Sequence, residues 1–184
     1  MKRNHRTMIQ KIYKVTQILA FVPFMAIPSL SVTSHIGSLE TKPVTKEVVS
    51  VEDIRKEHAK AIDTFFKERS MPLAGSGMAF VLVAEKYGLD WRLLPAIGVR
   101  ESSGGKEACG YNAFGWGSCK LHNFNSYEEA IEALGKNLGG ANKTTARYYA
   151  GKSTEEKLYY YNGSVEPPYI GEVVAIMGMI SETE

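Results

Sequence analysis

The stretch Trp91-Arg92-Leu93-Leu94-Pro95-Ala96-Ile97-Gly98-Val99-Arg100-Glu101-Ser102-Ser103-Gly104-Gly105-Lys106 decides how this chain is read. Its first ten residues form an apolar helical run, and the last five carry the small residues that stop a helix. Leu94, Ile97 and Glu101 stand at i, i+3 and i+7, so they share one helix face. A carboxylate in line with a buried stripe is costly unless it is paired or protonated. A carboxyl that keeps its proton near neutral pH is suited to act as a general acid. The competing reading is a helix-end glutamate in water, or one paired with Arg100 or Lys106, since most glutamates are exposed.

Working outward, the pattern is mainly helical. Ser50 can cap a helix whose apolar face is Ile54, Ala61, Ile62, Phe65 and Phe66, ending near Ser70 before Pro72. Met78 to Tyr87 predicts a second helix stopped at Gly88. Asp90 is the expected cap of the third, and Pro95, one turn in, is expected to bend it. Gly104 to Asn125 reads as loop and short extended pieces, with a small hairpin around Cys109 to Leu121. Ser126-Tyr127-Glu128-Glu129 and Ser153-Thr154-Glu155-Glu156 both read as capping boxes opening helices. Asn162-Gly163 reads as a turn. A last helix runs from Pro168 through Val173, Ile176, Met177 and Ile180.

Composition bounds the rest. The chain has 184 residues and is 44% hydrophobic. Residues 1–34 read as a signal peptide or membrane anchor. Lys2, Arg3, Arg6, Lys11 and Lys14 precede an uncharged run from Val15 to Ser34, with small residues at its end. Pro23 and Pro28 weaken a spanning helix without excluding it. This order predicts an exported domain, secreted or held in the cell envelope. Residues 35–49 read as a linker, and 50–184 as one domain with a usable core. Five of the 22 basic residues and none of the 20 acidic ones lie in the leader, so the remainder carries 17 against 20. No basic patch with interleaved aromatics is present, which argues against nucleic acid as a partner. Cys109 and Cys119, an even pair in an exported chain, predict a disulfide. His58 and His122 lack ligand spacing with them, so no metal or other cofactor is expected.

Three segments stand in series: Glu101-Ser102-Ser103-Gly104-Gly105-Lys106, Asn112-Ala113-Phe114-Gly115-Trp116-Gly117, and Tyr161-Asn162-Gly163. In this order they resemble the lysozyme-like superfamily of cell-wall glycosidases. The resemblance covers residues from about 50 to the end and is closest to bacterial N-acetylglucosaminidase domains and lytic transglycosylases. Phe124-x-Ser126-Tyr127 with Ala130-Ile131 is similar to the former; Tyr161-Asn162 is similar to the latter. Ala113 and Trp116 depart from the usual residues at their positions.

The resemblance implies a mainly α, lysozyme-like domain with a small hairpin or loop region beside a groove, acting on peptidoglycan glycan strands. Glu101 would be the general acid. Tyr161 either hydrogen-bonds near the reacting centre or packs in the core. Tyr111, Phe114 and Trp116 read as sugar-stacking rings or, for Phe114, as core. Asn112 reads either as a sugar ligand or as a turn cap. Ser102 reads as an orienting group or a helix end. Gly115 reads as a close-approach point for substrate or a tight turn, and Asn162 as a further substrate contact. No second carboxylate is identified, with Glu107, Glu128, Glu129 and Glu156 as candidates. Without one, the substrate's 2-acetamido group is the natural substitute. The rival expectations are lytic transglycosylation, which leaves 1,6-anhydromuramoyl ends, and a binding module that has lost catalysis.

Overall fold

Ser50 opens the first helix in the expected way, its Oγ accepting the Asp53 N–H at 3.1 Å. Helix α1 (Val51–Glu68) then buries Ala61, Ile62, Phe65 and Phe66, while Ile54 in its first turn stays 40% exposed, off the core. A computed structural model describes residues 50–118 and 123–182. Helix α2 (Gly77–Tyr87) packs on α1 and stops at Gly88. Helix α3 (Leu93–Ser102) starts later than the apolar run suggests. Asp90 takes the Arg92 N–H at 2.9 Å, so Trp91 and Arg92 form a turn and Trp91 stacks on His58. Pro95 therefore falls in the first turn of α3, where a missing N–H costs nothing, and the expected bend has no cause.

Leu93, Leu94 and Ile97 are fully buried, each contributing roughly 1.5–3 kcal/mol. That burial holds α3 in the centre of the fold, against α7 (Tyr169–Ser181) and α4 (Tyr127–Leu138). The helix ends at Ser103, which adopts the left-handed conformation at φ 53°.

Among the described residues between α3 and α4 the chain makes turns with one isolated bridge, Cys109 to Asn112. No strand occurs among the described residues; residues 119–122, into which the expected hairpin runs, lie outside them. In the described part, Gly104, Gly105, Gly110, Gly115 and Gly117 all have positive φ and keep the backbone turning. Cys109 is disulfide-bonded; Cys119, its expected partner, lies outside the described residues, as do the segments read as leader and linker. Among the described residues no helix is long and apolar enough to cross a membrane.

The two capping signals turn out differently. Ser126 Oγ accepts the Glu129 N–H at 3.2 Å, but the Glu129 carboxylate reaches Asn125 instead of closing the box. Ser153 and Glu156 close theirs on both sides. Helix α5 (Ala146–Tyr149) has no sequence signal; it is four residues long and lacks a side-chain cap. Helix α6 (Thr154–Leu158) runs into a π-helical turn, Tyr159–Gly163, where the sequence suggested an ordinary turn at Asn162-Gly163. The π turn and α7 pack together, which brings Tyr161 and Tyr169 toward α3.

Candidate functional site

Glu101 lies in the last turn of α3 and is partly buried. Its Oε1 accepts a hydrogen bond from the Tyr169 hydroxyl at 2.7 Å. Neither of the cations beside it in sequence neutralises it directly. Arg100 is committed to Glu166 and Glu172, each at 2.5 Å. Lys106 donates to the Arg69 carbonyl at 2.8 Å. Burial pushes the Glu101 carboxyl above its ordinary range; the Tyr169 hydrogen bond and the Arg100 charge pull it down without cancelling that push, and the Glu166 charge adds to it. A carboxyl shifted in this direction keeps its proton to higher pH than an exposed glutamate does.

A cavity of about 290 Å³ opens over this carboxyl. Glu101, Phe114, Gly115, Trp116, Gly117, Tyr161 and Asn162 line it, so all three signature segments meet there. Among the described residues, Glu101 is the sole carboxylate in that lining. Glu107 accepts from Ser103, Glu129 from Asn125, and Glu156 caps α6, so these candidates for a second acid serve local structure. Glu128 sits in the first turn of α4 and is likewise absent from the cavity.

Gly115 explains its own place. Its φ is +62°, and a Cβ built there would lie 3.3 Å from Glu101 Oε2. The backbone must approach the carboxyl closely in a conformation that L side chains rarely adopt. Trp116 follows, half-buried, its ring stacked on Tyr161 at 5.8 Å between centroids. Tyr161 stacks in turn on Tyr169 at 6.0 Å. The Tyr161 hydroxyl donates to the Phe114 carbonyl at 2.5 Å. Its hydrogen is thus spent on the loop, and Tyr161 contributes a ring wall; the tyrosine that touches Glu101 is Tyr169. Burial and the nearby Glu101 charge raise the Tyr161 phenol well above its ordinary value, so it stays neutral.

Several residues read as candidate substrate contacts also hold the scaffold. Asn112 is buried; its Nδ2 donates to the Trp116 carbonyl at 3.0 Å and its Oδ1 accepts the Trp116 N–H at 3.1 Å. Both ends of the amide close the loop that carries Gly115. The Phe114 ring is core, edge-on to Phe80 at 6.3 Å, and Phe114 is also among the residues lining the cavity. Ser102 is buried, donating to the Ala113 carbonyl at 2.7 Å and accepting the Gly105 N–H at 3.0 Å. It ties the end of α3 to the Gly115 loop and so positions Glu101. Tyr111 is exposed, packs against Tyr127 and does not line the cavity. Asn162 does line it, with Nδ2 held by Glu166 at 3.2 Å.

Tyr169 is the partner of Glu101 that the sequence did not reveal. It stands 68 positions from Glu101, at the first position of an apolar helix where an aromatic residue reads as packing. No protein-family model, no curated protein and no solved structure matches this chain.

Proposed function

We propose that this protein is a peptidoglycan glycosidase that cleaves β-1,4 bonds between N-acetylated amino sugars, with Glu101 as its single general acid. The observation that carries the reading is the meeting of a partly buried, raised-pKa carboxyl with the Gly115–Gly117 and Tyr161–Asn162 segments in one open cavity. Glu101 donates its proton to the glycosidic oxygen as the C1–O bond breaks. No second carboxylate lines the cavity among the described residues, so the stabilising group comes from the substrate. The 2-acetamido oxygen bonds to C1, and the Glu101 carboxylate then takes a proton from the water that opens this intermediate. Trp116 and Tyr161 offer ring faces to the sugar.

A lone carboxylate supports a second route equally. In lytic transglycosylation the muramoyl 6-hydroxyl attacks C1 in place of water and returns its proton to Glu101. Digestion of purified sacculi, read by mass spectrometry, tests both. Fragments with reducing ends indicate hydrolysis, and 1,6-anhydro ends indicate the second route. Sacculi left intact by the wild type, or cut equally well by Glu101→Gln, would reject the glycosidase.

A further inference from the structure

A second cavity of about 660 Å³ adjoins the Glu101 cavity, and Trp116 and Gly117 line both. Its floor is apolar, from Trp116, Phe124 and Ala133; its wall is Asn142, Thr144 and Thr145; its rim carries Lys136. The wall is built rather than incidental. Buried Asn137 accepts from Asn142 Nδ2 at 2.9 Å and from Thr145 Oγ1 at 2.7 Å, and donates to the Ala133 carbonyl at 2.8 Å. These bonds clamp the loop after α4 to α4 itself. Lys136 is exposed, in the last turn of α4, and makes no ion pair among the described residues. Glu132, one turn earlier, is hydrogen-bonded by Lys86 and Tyr87 at 2.5 Å each and also feels the Lys136 charge, though the two form no ion pair. Among the described residues, Lys136 is the one charged residue lining this cavity.

We infer that this cavity receives a carboxylate-bearing substituent of the glycan, which pairs with Lys136 while the sugar face rests on Trp116. The inference rests on the glycosidase reading and adds to it a charge preference: the substrate is an acidic amino-sugar strand, not a neutral one. On peptidoglycan the carboxylate has two sources, the lactyl group of the muramoyl sugar and the end of its peptide.

Binding to Glu101→Gln, measured calorimetrically at low salt, separates the possibilities. Four tetrasaccharide probes of alternating N-acetylglucosamine and N-acetylmuramic acid are used. Two are peptide-free, with the lactyl carboxylate free or amidated; two carry a short peptide, with its terminal carboxylate free or amidated. Amidation in one of the two pairs is expected to weaken binding about three- to fivefold, the worth of a rim ion pair. The pair that responds identifies the source. Adding Lys136→Met abolishes the difference, and Lys136→Arg retains it. Lys136 is exposed, so neither substitution threatens the fold. If the probes bind but amidation has no effect, or its effect survives Lys136→Met, the charge preference is overturned and the glycosidase reading stands. If none of the probes binds, both fall.

Discussion

The hydroxyl of Tyr169 reaches across from α7 to hold Oε1 of Glu101 at 2.7 Å. One helix supplies the acid, another fixes its rotamer, and the hydrogen bond favours the charged form against the burial that disfavours it. Tyr169→Phe keeps the buried ring and removes only the donor. The Glu101 pKa is then expected to rise further. A general acid works while protonated, so the alkaline limb of kcat/KM moves to higher pH. The loss of one hydrogen bond costs about 1 kcal/mol of stability. A pH–rate profile beside a urea titration checks both, and an unmoved limb would mean Glu101 is not the titrating acid.

Glu101→Gln is expected to abolish bond cleavage and to raise stability at neutral pH. The sign follows from linkage. The folded state raises the Glu101 pKa above the ordinary 4.5, so the folded protein binds the proton more tightly than the unfolded chain. Stability from this group is fully present below the unfolded value and is lost as pH rises through the folded one. Glutamine carries no charge at any pH and still offers an oxygen to Tyr169. Melting curves for both proteins should diverge above about pH 5 and converge below about pH 4. An advantage for glutamine that persists at low pH would point to packing instead of protonation.

What the sequence disclosed, and what it hid, divides by the range of the interactions. Ser50, Ser153 and Gly88 mark helix ends because a cap acts within three or four residues. The face shared by Leu94, Ile97 and Glu101 was legible for the same reason. Helix α5 was not, since four residues without a side-chain cap owe their helicity to tertiary contacts. The roles of Asn112 and Tyr161 were not legible either. An amide or a phenol is equally suited to a sugar or to a carbonyl, and the partners that decide, Trp116 and Phe114, are a matter of three-dimensional placement. Tyr169 was invisible because its hydroxyl is the only polar feature of a residue that otherwise fits an apolar helix.

Gly115→Ala is expected to damage activity more than stability. The left-handed backbone costs a side chain about 1–2 kcal/mol. The added methyl would also sit 3.3 Å from Glu101 Oε2, displacing the carboxyl by a few tenths of an ångström or narrowing the cavity. Misplacement of a reacting group on this scale lowers kcat/KM by about tenfold or more. Steady-state kinetics on a soluble glycan fragment, alongside thermal melts, distinguishes this from general unfolding. A rate that falls only in proportion to the folded fraction would count against the close approach.

Asn112→Ala provides the sharpest test of a residue whose sequence reading was divided between ligand and brace. Its amide closes the loop on the Trp116 N–H and carbonyl, so alanine leaves two backbone groups without their partner. The expected cost is about 2 kcal/mol. Asn112→Asp keeps an acceptor for the Trp116 N–H and loses the donor to its carbonyl, so it should fall between alanine and wild type. Limited proteolysis should show new cleavage between residues 112 and 118 in the alanine variant, because the loop loses its closure. Were Asn112 a sugar ligand, alanine would instead raise KM while melting temperature and protease resistance stayed at wild-type values. The buried position of the side chain and the occupancy of both its ends favour the brace.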